Sequence, residues 1–265
     1  MDAGYSGSTG SQNTFVGKDT GKSITTASEN TALGYQALTS VQGGHNNVAL
    51  GWKSLYSDTG GSYNIAIGTE ALKSNTSKDG NIAIGYAALT TQTNGAQNNT
   101  AVGYQAGKAN TTGDSNVYIG KDAGLAATTG GQNVAVGDDS GYNITTGSGN
   151  TNLGAACLGS CTVGGTNTAV GYWAGYWITT GSSNTTLGQS AGKNLTTGSN
   201  NTAIGYDSTP SSATVSNEIT LGNSSVTKFR VPGLNFSIKD STATDNYVLT
   251  VDANGDAGWE ATGGS

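Results

Sequence analysis

A five-residue phrase, NIAIG at Asn64 to Gly68, returns along most of this chain at a fixed interval. It stands as NTFVG at Asn13, NTALG at Asn30, NVALG at Asn47, NIAIG at Asn81, NTAVG at Asn99, NVYIG at Asn116 and NVAVG at Asn133. It continues as NTNLG at Asn150, NTAVG at Asn167, NTTLG at Asn184 and NTAIG at Asn201. Successive asparagines are 17 residues apart, except Asn81 and Asn99, which are 18 apart. Such a period means that each repeat is one structural unit, too thin to bury its apolar face alone, that stacks on its neighbours. The predicted fold is all-β, a parallel β-roll or β-solenoid of about twelve 17-residue coils.

Within the phrase, the residue after Asn is always β-branched and the residue two further on is always Val, Leu or Ile. That alternation reads as a strand with both positions on one face. Between them stands Ala in most units (Ala32, Ala49, Ala66, Ala83, Ala101, Ala135, Ala169, Ala203), with Phe15, Tyr118, Asn152 and Thr186 as departures, and the fifth position is Gly throughout. The expectation is that the branched face is the core, with Ile67 and Ile84 inside. The bare Ala/Gly face then packs against other copies of the chain in a homotrimer. A small residue recurs seven places past Asn, as at Ala37, Ser54, Ala71 and Cys157. It is followed either by Leu (Leu38, Leu55, Leu72, Leu89, Leu158) or by Gly (Gly21, Gly107, Gly124, Gly141, Gly175, Gly192), and this half reads as a second short strand between turns. The Asn column is expected to stack its side-chain amides down the rod and also to serve turn geometry, because Asn tolerates left-handed backbone.

The chain has 265 residues, 43 of them Gly, with 34% hydrophobic and 11% charged residues. That apolar share is low for a compact domain but enough for a solenoid, whose core is a thin column. A net charge of −6 with no basic block makes nucleic acid and anionic membrane poor partners. No stretch approaches the roughly 18 apolar residues of a spanning helix. MDAGYSGSTG carries neither the charged nor the apolar region of a secretory signal.

Three regions are expected. Residues 1–10 are a polar lead-in, 11–207 the 17-residue repeat solenoid, and 208–265 an irregular last coil with a β-hairpin connector or cap. NEITLG at Asn217 to Gly222 reads as a thirteenth unit with one extra residue. VTKFRV at Val226 to Val231 and Leu234 to Lys239 read as longer strands, and Tyr247 to Val251 and Ala257 to Ala261 as a hairpin about DANGD. The closing TGGS reads as a junction to further sequence.

The NTAIGYxA repeats, covering roughly residues 11 to 222, resemble the head repeats of trimeric autotransporter adhesins, whose similar NSVAIG-type motif builds a trimeric left-handed parallel β-roll. They look still more like repeats of tailed-bacteriophage tail-fibre and appendage proteins. ITLGNSSVTKFRVPGL from Ile219 and YVLTVDANGDAGW from Tyr247 are similar to segments of the phage group that often precede a C-terminal chaperone domain. The resemblance implies a homotrimeric structural fibre segment of a virion, partnered by other tail proteins and supporting host-surface attachment. The head of a bacterial surface adhesin is the alternative.

Catalysis needs converging groups, and few are offered. His45 is the only histidine and lies in a turn. Adjacent Asp138 and Asp139 do not form a glycosidase pair, which weighs against a polysaccharide-degrading solenoid. Asp114, Asp122, Asp138 and Asp139 read as solvated edge charges in preference to a cation site. Cys157 and Cys161 fit either buried free thiols or a local disulfide; a zinc site wants more ligands. No enzymatic activity, cofactor or metal is expected. Tyr35, Trp52, Tyr86, Tyr104, Tyr172 and Tyr206 recur just after the Gly and read as a packing spine. Tyr172, Trp173, Tyr176 and Trp177 exceed what one thin coil can bury, so this cluster is the candidate for glycan contact, with packing between chains as the competing account.

Overall fold

The computed structural model describes residues 3–4, 9–93, 95–230, 247–251 and 257–261, and the chain divides into two units, Met1–Ser225 and Val226–Ser265. The first unit is a β-solenoid with one three-residue strand per coil. The strands are β1 (Thr14–Val16), β2 (Thr31–Leu33), β3 (Val48–Leu50), β4 (Ile65–Ile67), β5 (Ile82–Ile84), β6 (Thr100–Val102) and β7 (Val117–Ile119), followed by β8 (Val134–Val136), β9 (Thr151–Leu153), β10 (Thr168–Val170), β11 (Thr185–Leu187), β12 (Thr202–Ile204) and β13 (Ile219–Leu221). They form a single 13-stranded sheet in sequence order, and each pair is parallel with equivalent residues side by side, as in Ile65↔Ile82 and Ala66↔Ala83. The 18-residue step keeps this register, with Ile82 opposite Thr100.

The ladder runs on to Leu221 without a slip, because Ile219 pairs with Thr202, again 17 residues on. Glu218, not Asn217, takes the asparagine's place: its amide donates to Asn201 Oδ1 at 3.0 Å, as each asparagine's amide does to the one before. The extra residue expected at Asn217 is therefore absent from the register. In the second unit β14 (Tyr247–Val251) and β15 (Ala257–Ala261) pair antiparallel. Val226–Arg230 carry no regular structure, while 231–239 and the turn at 252–256 lie outside the described residues.

The faces are the reverse of the sequence expectation. The middle residue of each strand from β2 to β12 points inward, and Ala32, Ala49, Ala66, Ala83, Ala101, Ala135, Ala169 and Ala203 are at most 1% exposed. The branched residues on either side point outward, with Ile67 36% exposed and Ile84 half-buried. The Ala/Gly face thus cannot be the surface that meets other copies. The reason is volume. Each coil's interior has room for about one large side chain, and that residue comes from the opposite wall. Leu38, Leu55, Leu72, Leu89 and Leu158 fill it where the strand offers a small residue or Asn152. Where Gly replaces that Leu, the space is taken by Ile144, Ile178 or Leu195 from the next corner, or by the large strand residue Tyr118. A Cβ on Gly124 would stand 2.3 Å from Tyr118 Cδ1, and one on Gly107 2.6 Å from Cδ2, so Tyr118 fills its own coil and the one before. A branched residue in the middle of every strand would overfill such a core.

The second half of each coil is a run of turns instead of a strand. Residues six past the asparagine hold positive φ, such as Gln36 at 59° and Trp173 at 59°, and so do those eight past it, such as Leu38 at 48° and Leu158 at 49°. Two left-handed residues so close together cannot continue an extended chain. This half still stacks coil on coil through backbone bonds, as in Leu55 N–H to Ala71 O at 3.0 Å. The invariant Gly after each strand has two reasons to be there. Its φ runs from 80° to 140° among the thirteen, and a Cβ on Gly85 would stand 2.2 Å from the Gly103 carbonyl oxygen of the next coil.

From Asn30 on the asparagines are buried, and none of the twelve has positive φ; the residue before each does, as at Glu29 (62°) and Asn46 (58°). Turn geometry is therefore not their role. Each Oδ1 instead accepts the backbone N–H of the next asparagine, at 2.9 Å from Asn47 to Asn30 and 3.0 Å from Asn150 to Asn133. In most coils the next Nδ2 donates to the same oxygen and also to a carbonyl across its own coil, as Asn133 Nδ2 does to Asn116 Oδ1 at 3.2 Å and Gly147 O at 2.9 Å.

The face assignment has a direct consequence. Ala83→Glu places a charge with no partner in a closed core and should cost several kcal/mol, preventing folding. Ile84→Glu alters only the outward face of the sheet, not its core, and should leave the far-UV circular dichroism of the sheet intact. The two variants separate by spectroscopy and thermal melting.

Candidate functional site

The turn segment after each strand sets the outer edge of the solenoid, and its side chains stack in columns because equivalent positions repeat coil after coil. Five places past the asparagine, Tyr35, Trp52, Tyr86, Tyr104, Tyr172 and Tyr206 are all exposed, and Tyr86 and Tyr104 stack at 5.2 Å. Coil 10, which begins at Asn167, differs from the others by carrying aromatic residues at four places. Tyr172 stacks on Trp173 with centroids 5.3 Å apart, Trp173 on Tyr176 at 5.3 Å, and Tyr176 meets Trp177 edge-on at 4.8 Å. The structure thus brings the four rings into one continuous run. Tyr172, Trp173 and Trp177 remain 51%, 42% and 51% exposed and Tyr176 is half-buried. The other dense cluster, Trp52 and Tyr56, is covered by its own cation, with Lys53 Nζ 4.9 Å and 5.5 Å from the two ring centroids. At Lys53's place coil 10 has Trp173.

Beside this run is a recess of about 340 Å³ lined by Asp139, Tyr142, Asn143, Ala156, Gly159, Trp173 and Tyr176. Its making is legible from the register. Asp139, Ala156 and Trp173 are equivalent positions of three successive coils, and so are Tyr142, Gly159 and Tyr176. The middle coil supplies the two small members, so a notch one coil high opens between larger residues above and below. Gly159 is not among the residues of positive φ, so no backbone demand explains it. A Cβ there would stand 2.6 Å from Tyr176 Cε2, so its absence lets the ring lie over the notch. Asn143 Nδ2 donates to Gly159 O at 2.7 Å, which fixes the amide at the rim. Sequence reading found the aromatic run but missed Asp139 as a wall, along with Tyr142, Asn143, Ala156 and Gly159, which lie up to 38 residues before Trp177.

The acidic edge is organised by one lysine. Lys121 Nζ is 2.8 Å from Asp122 and 3.7 Å from both Asp138 and Asp139. The bond to Asp122, helped by the other carboxylates, holds its ammonium above the ordinary lysine range. Among the described residues no group of three or more His, Cys, Asp or Glu is placed to hold a metal ion, and no helix is long and apolar enough to cross a membrane. His45 Nδ1 accepts the Ser28 N–H at 3.1 Å and acts as one rung between coils. Cys157 and Cys161 are buried free thiols, each pushed up to about 11 by burial, which disfavours the reactive thiolate. No known protein family matches the chain, and no curated protein sequence or solved structure shows significant similarity to it.

One carboxylate is perturbed far from this edge. Asp58 is fully buried at the corner after Leu55, where Oδ1 accepts Gly60 N–H at 3.0 Å and Gly61 N–H at 2.7 Å and Oδ2 accepts Asn75 Nδ2 at 3.0 Å. Burial outweighs these bonds and raises its pKa from 3.8 to about 7. The equivalent residue Asn110 accepts Gly113 N–H at 2.9 Å and donates to Gly113 O at 3.0 Å, so an uncharged amide fits the same corner. Because the folded pKa is raised, this group's stabilising contribution is complete below about pH 4 and is lost as the pH rises to about 7. The loss amounts to at most roughly 4 kcal/mol for a shift of this size. Asp58→Asn should therefore melt at a higher temperature than the parent at pH 8, and the difference should shrink steadily towards pH 4 in melting curves recorded across that range.

Proposed function

We propose that this chain is a structural segment of a fibre of the kind found in phage tails or other virion appendages, assembled as a homotrimer and supporting attachment to a host surface. The observation that carries this reading is the outward face of the sheet. Two columns of side chains, Thr, Val or Ile on one side and Val, Leu or Ile on the other, run the length of thirteen coils, with Val16 54%, Leu33 48%, Leu153 40%, Leu187 45% and Leu221 50% exposed. At about 4.8 Å per coil the strip is on the order of 60 Å long, with the Val, Leu and Ile column as its continuous apolar part. An apolar column exposed over that length is the kind of surface that marks an interaction site. Two parallel columns let each copy offer one to each of two neighbours about a common axis, a closed cyclic arrangement. The repeat phrase and the segment from Ile219 resemble those of phage fibres, which supports the biological setting. The aromatic run of Tyr172, Trp173, Tyr176 and Trp177 is the proposed point of contact with host glycans, since sugar rings pack their C–H faces on aromatic planes.

Sedimentation velocity should give the mass of three chains. Replacing both Ile67 and Ile84 by Asp should yield a folded single chain with unchanged sheet spectrum, because only the outward face is altered. A parent chain that sediments as a monomer at micromolar concentration would contradict the assembly.

A further inference from the structure

We propose that the notch between coils 8 and 10 is a subsite for one neutral hexopyranose ring, seated against Trp173 and Tyr176 and hydrogen-bonded by Asp139 and Asn143. The inference rests on the reading of the aromatic run as a glycan contact and gives it a chemistry. A recess of about 340 Å³ is at the small end of ligand sites, suited to a single ring with its first substituents. Its walls divide by character. Trp173 and Tyr176, with ring centroids 5.3 Å apart and planes tilted by 26°, make one aromatic wall, and Tyr142 lines the recess from the coil on the other side of Gly159. Asp139 and Asn143 supply the polar rim.

That rim is rich in acceptors. Asp139 keeps 43% of its side chain exposed, and its nearest cation, Lys121 Nζ, stands at 3.7 Å, beyond direct hydrogen bonding. Its two oxygens are open to donors. Asn143 spends one N–H on Gly159 O, and that bond does not engage its Oδ1. A pair of neighbouring sugar hydroxyls, donating to the carboxylate and the amide oxygen while the ring's C–H groups pack against the exposed part of the aromatic wall, satisfies the whole set. An acidic sugar fits poorly, because Asp122, Asp138 and Asp139 surround a single lysine and the chain carries a net charge of −6. The notch also looks built instead of incidental. Among the described residues, its place nine past the asparagine is Lys, Thr, Tyr, Leu or Pro in every other coil, and Gly only at Gly159. All the lining residues come from turn segments and none from the outward strand face, so assembly through that face does not use them.

The test uses the full chain and a panel of methyl glycosides of neutral hexoses, with methyl glucuronide as the charged control, followed by saturation-transfer NMR and by quenching of indole fluorescence. At least one neutral glycoside should bind saturably in the millimolar range, and the glucuronide at least tenfold more weakly. Asp139→Asn should weaken the neutral ligand about tenfold, and Gly159→Leu, a residue already borne at the equivalent Leu125, should abolish binding with the melting temperature preserved. Should Gly159→Leu fail to fold, Asp139→Asn on the surface still decides. Saturation by no neutral glycoside, equal binding of the glucuronide, or an Asp139→Asn variant of unchanged affinity overturns the proposal. If a neutral polysaccharide is bound through Trp173 and Trp177 but Asp139→Asn and Gly159→Leu leave that binding unchanged, the aromatic contact stands and the notch falls.

Discussion

The hydrogen bond from each asparagine to the next is the constraint on which the rest of this molecule depends. A coil of 17 residues has only a three-residue strand, its turns bond to the next coil through backbone amides, and its buried corner must satisfy several polar groups at once. Asparagine does this with one side chain. Its oxygen accepts the next coil's amide, and its Nδ2 ties both to the previous oxygen and to a carbonyl across the coil. Every rung repeats the same geometry, so the column fixes the rise and the register together. The step at Asn81 illustrates this: the extra residue is absorbed elsewhere in the coil, while Asn99 N–H still meets Asn81 Oδ1 at 3.1 Å. The same holds at Glu218, whose backbone amide keeps the last rung even though its side chain has changed. Glu218's own carboxylate turns to the Ser211 and Thr220 hydroxyls, which hold its pKa below the ordinary range.

With rise and register fixed, the core becomes a matter of volume, and here sequence pattern alone points the wrong way. Alternating branched and small residues say that a strand has two unlike faces; they do not say which is inside. In a thick domain the larger apolar residues go inward, but a coil this narrow admits about one large side chain per layer. Leu38, Leu55, Leu72 and Leu89 already provide it from the opposite wall. The clue was present in the alternation of Leu and Gly eight places past the asparagine. Gly falls where Phe15 or Tyr118 is large, or where Ile144, Ile178 or Leu195 reaches in from the corner. Asn152 stands outside this pattern, since its coil carries Leu158, and neither end of its buried amide finds a partner.

The period, the strands, the parallel ladder and the small seventh position were all legible, because each follows from a pattern within one unit. The candidate site was half legible for the same reason. Four rings within six residues are visible in a linear reading, whereas Asp139, Asn143 and Gly159 acquire meaning only when coils 8, 9 and 10 are laid over one another. Left-handed backbone at Gln36 or Leu38 was not legible, since neither residue type announces it; the turn is imposed by its neighbours in the stack.

The central claim is that the asparagine column carries the solenoid, and Asn133 in its middle is the place to test it by chemical or thermal unfolding. Asn133→Ala removes the acceptor of Asn150 N–H and Nδ2 and both donations from Asn133 Nδ2, four bonds in a buried corner. At about 1 kcal/mol each, the account predicts a loss of roughly 3–4 kcal/mol, far beyond that of an exposed substitution. A variant whose unfolding midpoint stays within about 0.5 kcal/mol of the parent, the range of ordinary surface changes, would contradict it.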